Sequence, residues 1–359
     1  MDAAALRARR AAAQLLHRPP GAGVADVVRS VLAVQAQDLR AARLALRARA
    51  AGLSAAAVDA ALGDERSVVV AWLGRGTLHL VARDDYPWLL GLTAPRQAAA
   101  GTRRLRQLGV SESDAERAVA VVERALGADG PLTRTELGAR LGAAGIRAEG
   151  QALPHLLGLA ARRGLAVLGP VREGEHAFAL PRDWLGAAPA RPLEGDARAA
   201  ALAELARRYL GGHGPAAAAD LATWAGLPLR DARAGLTAIG ADLADLGDGL
   251  VDLAARPEPP APDALEPRLL PAFDPYLLGW KDRAFAVPAA DAGRVHPGGG
   301  MLRAVAIDRG VAVGTWTARR RAGRLTVAVE PFGALRRGVA RAFEAEAADV
   351  ARFEGLDAA

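Results

Sequence analysis

The stretch VLAVQAQDLRAARLALRARA, which begins at Val31, carries two glutamines two residues apart, Gln35 and Gln37. A primary amide donates and accepts hydrogen bonds at once and does not titrate. Two amides aimed at one point can therefore orient a water without supplying or removing a proton. Whether these two converge depends on the backbone. On an unbroken helix, residues two apart point to nearly opposite faces. At a helix end both can turn into one cavity. Asp38 is a good N-cap for a helix that starts at Leu39, with Leu39, Ala42 and Leu46 on one face. The preceding helix then finishes near Ala36, and the glutamines straddle the junction. On the residues alone the pair is either a site or ordinary helix surface.

Other chemistry is sparse. The chain has no P-loop, no paired-glycine dinucleotide turn after a strand, no HExxH and no GxSxG. Its histidines, at positions 17, 79, 155, 176, 213 and 296, form no spaced set with carboxylates, so no metal or cofactor is expected. His79, in RGTLHLV, shares a strand face with Thr77 and Arg75, and a satisfied structural histidine is the simpler reading. Arg319, Arg320, Arg321 and Arg324 cluster at a hairpin, as a solvated turn or as a phosphate clamp. Lys281 is the only lysine. It stands in FDPYLLGWKDR with Arg283 and with Asp274, whose place before Pro275 suits an N-cap or turn former better than a catalytic carboxylate. The glycines at 298–300 read as a loop.

With 359 residues and 51% hydrophobic content the chain can bury a large core. It has no cysteine, hence no disulfide framework and no thiolate metal site. No uncharged apolar run approaches the roughly 18 residues of a membrane span, and the start has no apolar signal region. Asp2 and an immediate helical pattern argue against a transit peptide, so a soluble cytoplasmic protein is expected. The net charge of +6 is carried almost wholly by arginine, with an isoelectric point near 10.6. That balance fits a phosphate-rich partner such as nucleic acid, or a solvated surface written in a GC-rich genome.

A repeat organises the middle of the chain. DGPLTRTELGARLG, from Asp129, aligns with HGPAAAADLATWAG, from His213, at an offset of 84 residues. Each block follows an amphipathic helix and precedes a second helix and a β-prone pair, with turns around Arg172–Glu175 and Gly247–Gly249. Helix, helix-turn-helix, hairpin is the order of a winged helix. Pro131 and Pro215 suit the first turn of the middle helix, and Gly142 and Gly226 its C-cap. Helical patterns over 3–16, 24–36, 39–51 and 55–62, followed by a β-ribbon turning at Gly74 and Gly76, suggest a third, divergent copy. The middle helices carry few arginines, which suggests scaffold rather than readers of the major groove. Beyond a proline-rich linker, three strands turning at Asp308–Gly310 and Arg321–Gly323 precede a helix over 333–353. The expected fold class is α+β, with winged-helix units at 1–82, 83–190 and 191–258, a linker at 259–267, and a small antiparallel β domain with a terminal helix at 268–359.

The blocks VQAQDLRAARLALRAR, RGTLHLVARDDYPWLL, RYLGGHGPAAAADLATWAG, LLPAFDPYLLGWKDR and RGVAVGTW together resemble the winged-helix DNA glycosylase family of AlkZ and AlkX (YcaQ). They run in order over residues 31 to 316. The family carries Gln-x-Gln in AlkZ-like members and Gln-x-Asp in AlkX-like ones, so this chain resembles the AlkZ-like branch. The resemblance implies a monofunctional glycosylase excising N7-alkylated guanine, including bulky natural-product adducts and interstrand crosslinks, with Gln35 and Gln37 as the catalytic pair. It also implies double-stranded DNA carrying alkylated purines as partner, no cofactor, no membrane, a monomer, and a nucleoid-associated cytoplasmic location. The family's fold, three tandem winged helices and a C-terminal β-barrel around a DNA channel, implies a β-barrel-like C-terminal domain. It places Asp274, Arg283 and Lys281 along the channel wall with the two cations toward DNA. Arg75, Thr77, His79, Lys281, Arg283, Arg319, Arg320 and Arg321 are then the candidate DNA contacts. A winged-helix transcriptional regulator or a non-catalytic lesion-binding protein would share the fold and charge. A lyase would need Lys281 or the α-amino group as its Schiff-base amine.

Overall fold

The computed structural model describes residues 1–172, 175–186 and 191–358, and the chain folds as two compact units. The first comprises residues 1–59, 203–224 and 228–359, and the second residues 60–202 and 225–227. The first unit opens with α1 (Ala3–Ala13), α2 (Val24–Val31), the short strand β1 (Val34–Gln35), α3 (Leu39–Arg47) and most of α4 (Ala55–Gly63). The second holds β2 (Val68–Leu73), β3 (Thr77–Ala82), α5 (Tyr86–Gln107), α6 (Glu112–Asp129), α7 (Arg134–Ala143), α8 (Ala152–Arg162), β4 (Val167–Arg172), β5 (Glu175–Ala179) and α9 (Pro181–Leu185). After α10 (Gly195–His213) come α11 (Ala218–Ala225), α12 (Leu229–Ala238), β6 (Leu243–Asp245) and β7 (Val251–Leu253). The chain closes with β8 (Arg268–Leu270), α13 (Pro275–Leu278), α14 (Ala292–Val295), β9 (Val305–Asp308), β10 (Val311–Arg321), β11 (Arg324–Pro331), α15 (Val339–Phe353) and β12 (Asp357–Ala358). Among the described residues no helix is long and apolar enough to cross a membrane.

The fold is mixed α+β, and its C-terminal sheet, in the order β12-β11-β10-β9-β8, curls as a half-barrel. The hairpins turn at Arg309–Gly310 and Ala322–Gly323, where all four residues have positive φ and glycine takes the second position of each pair. The β10–β11 pairing runs from Gly314↔Pro331 to Arg321↔Arg324. Four strands of the second unit lie in the order β3-β2-β4-β5. Its core is built by Leu126, Leu137, Leu156, Leu159 and Phe178, with Trp72 stacked on Phe178 at 6.1 Å.

The repeat is visible in atoms. Thr133 caps α7, and the Glu136 carboxylate accepts from Thr133 N at 2.7 Å. At the same offset, the Asp220 carboxylate accepts from Ala217 N at 2.9 Å ahead of α11. Leu132 makes an antiparallel bridge to Phe178, and Ala216 makes one to Val251. Each bridge ties the turn before the middle helix to the second strand of the following hairpin.

Several boundaries differ from expectation for identifiable reasons. The helix expected over 24–36 ends at Val31, because Leu32 takes a positive φ of 66° and breaks the α backbone. The expected helices over 3–16 and 39–51 end at Ala13 and Arg47. Pro131 and Pro215 precede the middle helices instead of opening them, since the intervening Leu132 and Ala216 are spent in the β-bridges. Gly142 lies inside α7; Gly145, at φ +70°, follows its end, whereas Gly226, at φ +67°, does follow α11. The last helix begins at Val339, after Gly338 at φ +82°. The two central residues of the Arg172–Glu175 turn, and the expected boundary at residue 190, lie outside the described residues.

Candidate functional site

The backbone around Gln35 and Gln37 is neither of the alternatives the sequence offers. After Leu32 the chain turns extended and forms β1, so residues 35 and 37 alternate onto the same face while Val34 and Ala36 are buried on the other. The amides then meet: Gln35 Nε2 donates to Gln37 Oε1 at 2.7 Å. Gln35 is half-buried and Gln37 exposed. One residue later Asp38 caps α3, its carboxylate accepting from Ala41 N at 3.1 Å, so the helix begins at Leu39 as the sequence predicts.

Both flanks of the pair are anchored within the first unit. At α2 the backbone of Gly212 comes so close that a Cβ there would stand 2.6 Å from the Ser30 carbonyl oxygen and 2.9 Å from Val31 Cα. The Gly212 carbonyl accepts from Gln14 Nε2 at 2.5 Å. Gln14 Oε1 in turn accepts from Arg49 Nη2 at 2.6 Å, and Arg49 grips Asp274 through two bonds of 2.8 and 2.9 Å. Arg47, at the end of α3, donates to Glu346 at 3.0 Å and to the Leu269 carbonyl at 2.8 Å. These buried guanidiniums fix the far end of the helix whose near end follows the glutamines.

The pair has a defined unused valence. With one Gln35 N–H spent on Gln37 Oε1, the Gln35 carbonyl keeps its lone pairs and the Gln37 amide keeps both protons. A water placed against them can donate to the first and accept from the second. Neither group titrates, and the partial positive charge of the adjoining α3 N-terminus is met by the Asp38 carboxylate that caps it. Among the described residues no three His, Asp or Glu side chains converge as a metal site.

The other sequence candidates divide by environment. Lys281 is exposed, its backbone N–H donates to Asp220 Oδ1 at 3.0 Å, and its ammonium has no acidic partner among the described residues. Arg283 is half-buried, its Nε held by the Leu277 carbonyl at 2.7 Å, and burial lowers its pKa. Asp274 corrects the expectation of a channel-wall residue: it is fully buried, paired with Arg49, and caps α13 through Tyr276 N at 2.8 Å. Its structural role as N-cap is as the sequence suggests. Arg319, Arg320 and Arg321 are exposed and have no acidic partner among the described residues, and Arg321 stands directly opposite Arg324 across the hairpin. Like charges in register repel, so this tip is better accommodated with an anion nearby than alone.

Arg75, Thr77 and His79 belong to the second unit. Arg75 and Thr77 are half-buried at the β2–β3 turn. His79 is buried, its Nδ1 on the Thr77 carbonyl at 3.0 Å, and burial pushes its pKa down to about 4. A neutral ring packed in a hairpin offers DNA no charge.

Sequence reasoning missed the Gln14–Arg49–Asp274 chain and the close approach of Gly212. Neither has a local signal: each partner lies in a different segment, and buried arginines read as surface until their acids are found.

The cap next to the pair has a measurable worth. Asp38→Ala is expected to lower stability by about 1 kcal/mol in chemical denaturation, and Asp38→Ser to restore most of it. Equal stability of Asp38→Ala and the parent would show that the cap does not fix the start of α3.

The family model described as DNA glycosylase AlkZ-like matches residues 28–353. Among solved structures, the Streptomyces sahachiroi DNA glycosylase AlkZ aligns with a TM-score of 0.80 at 26% sequence identity, covering 99% of this chain and 97% of that one. No curated protein matches the chain. The matched span contains both glutamines.

Proposed function

Since the chain belongs to the AlkZ-like DNA glycosylase family, we propose that it hydrolyses the N-glycosidic bond of N7-alkylated guanine and that Gln35 and Gln37 hold the attacking water. The observation that carries this reading is the 2.7 Å contact between two neutral amides, one in β1 and one in the bend that follows it. Most glycoside hydrolysis uses a carboxylic acid to protonate the leaving group and a carboxylate to assist at the sugar. Alkylation at N7 already places a positive charge on guanine. The C1′–N9 bond can break with its electron pair passing to the base, which leaves neutral and needs no general acid. The remaining task is to deliver water to C1′ of an oxocarbenium-like sugar, which is a matter of positioning and of not adding positive charge. The pair does this through Gln35 Oε1 and Gln37 Nε2: the water oxygen bonds to C1′ and its surplus proton passes to solvent. No Schiff-base amine is required, so the strand is left abasic and uncut. The exposure of Gln37 supports access by bulky N7 substituents, crosslinks included.

In the same reading the DNA is held by Lys281 and Arg283, by the Arg319–Arg321 tip and by Arg75 and Thr77. The winged-helix units are read at 1–82, 83–190 and 191–258; the paired capping contacts and β-bridges support the repeat between the second and third, and the first and third each divide between the two compact units while the second lies within one.

The test is incubation with duplex DNA carrying a single 7-methylguanine, with released base followed by chromatography and the strand checked for breaks. Free base with an intact abasic strand is expected. Tight lesion binding without release would mark a sequestering protein, and strand cleavage a lyase.

A further inference from the structure

The chain enters the glutamine strand through a turn that its residue type disfavours. Leu32 has φ 66° and ψ −45°, and across it Ala33 N donates to the Val31 carbonyl at 2.8 Å. That is a γ-turn of the rare handedness, in which a Cβ is crowded by the backbone. Leu32 carries that Cβ, and its side chain is fully buried. A strained turn beside a functional segment persists only where its surroundings over-determine it.

Here the surroundings lie on α10. Arg208 and Gly212 stand four residues apart and share one face of that helix. Arg208 Nη2 donates at 3.0 Å to the carbonyl of Arg29, in the last turn of α2, where carbonyls lack helical partners. The same carbonyl receives Leu32 N at 3.3 Å. Gly212 meets the next two residues. A Cβ on it would stand 2.6 Å from the Ser30 carbonyl oxygen, 2.9 Å from Val31 Cα and 3.3 Å from the Val31 carbonyl carbon. All three are backbone atoms, which cannot swing aside as a side-chain tip would. This face of α10 is therefore fitted to residues 29–31, immediately ahead of the turn.

Beyond the turn the link is short. Asp38 caps α3, and Arg47 ties the far end of α3 to Glu346 and to the Leu269 carbonyl. Residues 33–37 join two held ends, and the glutamines are among them. So few residues cannot absorb a displacement of α2 without moving themselves.

We propose that Arg208 and Gly212 are positioning residues for the hydrolysis: they hold the Leu32 turn, and through it bring the two glutamine amides together. The inference rests on the reading of Gln35 and Gln37 as the water-holding pair. Plain helix packing would make Gly212 matter for stability alone. It would give Arg208, whose side chain is 25% exposed, no part in excision.

The experiment is side-chain amide NMR on protein labelled with 15N-glutamine, of which the chain has six. Single-turnover release of 7-methylguanine and duplex affinity are measured on the same samples. In the parent, the Gln35 amide proton bonded to Gln37 Oε1 is expected downfield of a solvated amide and slow to exchange. Gly212→Ala should return it to the solvated position and slow excision about 100-fold, with duplex affinity little changed. Arg208→Ala should act in the same direction, by about 10-fold. Arg208→Lys keeps the charge beside Glu204 and a donor for the Arg29 carbonyl, so it should recover both signal and rate. Arg208 is partly exposed, so its variants carry the test even where Gly212→Ala fails to fold. Parent-like glutamine signals in Arg208→Ala overturn the proposal, as does a slower rate with those signals unmoved. Moved signals with a parent rate uphold the positioning and overturn instead the role given to the glutamines.

Discussion

Replacing both Gln35 and Gln37 by alanine is expected to slow release of 7-methylguanine by roughly 10- to 1,000-fold under single-turnover conditions, the range for lost positioning and charge-stabilising contacts. Each single variant should fall within the same range. The two side chains bond to each other at 2.7 Å, so the effects should be less than additive, because removing one also frees the other. Affinity for lesion DNA should change little, since phosphate contacts dominate it. Gln37→Asp is the sharper probe. An aspartate there can still accept from Gln35 Nε2, and it adds a negative charge beside the developing oxocarbenium. Some activity on small adducts should survive, with a pH dependence that the parent pair, which has no titrating group, does not show. A double alanine variant that excises at the parent rate would reduce the pair to ordinary surface.

The reasons that pair was legible, and the reasons its geometry was not, are both local. Asp38 announced the start of α3 because a carboxylate before a helical pattern has one favoured use, and the cap is formed. The break before it was harder. Val31 to Ala36 carries the apolar character of a continuing helix, and nothing in the type of Leu32 demands a positive φ. That conformation is imposed from elsewhere, by the segment around Gly212 packed on the end of α2. Hairpins carried their own turn residues and fell where expected, at Asp308–Gly310 and Arg321–Gly323. Helix ends did not, because they are decided by tertiary demands such as the β-bridges of Leu132 and Ala216.

Charge was the least legible property. In a chain whose cations are nearly all arginine, composition alone cannot separate Arg49, buried against Asp274, from Arg320, exposed at a hairpin tip. Burial separates them. An arginine buried against an acid, as Arg49 is against Asp274, is architecture; one exposed with no acid among the described residues, as Arg320 is, can take an anion.

The largest stability effect is expected at Asp274. Its carboxylate accepts two bonds from Arg49 and one from Tyr276 N, and both members of the ion pair are fully buried. Asp274→Ala would leave the Arg49 guanidinium in the core with the Ala45 carbonyl and Gln14 as its remaining partners. Removing one partner of a buried pair costs on the order of 3–5 kcal/mol, so the melting temperature should fall by several degrees or more. Asp274→Asn retains an acceptor for Tyr276 N but loses the charge, and should lie between. Replacing both partners, Arg49→Met with Asp274→Leu, removes the uncompensated charge and should cost less than Asp274→Ala, although the α13 cap is lost. The sign of that comparison decides what holds the region together. If the double variant melts below Asp274→Ala, the bonds from Arg49 to Gln14, and through Gln14 to Gly212, contribute more than the ion pair does. The glutamine strand would then depend on Arg49 directly, and excision should fail in every Arg49 variant, whatever its effect on stability.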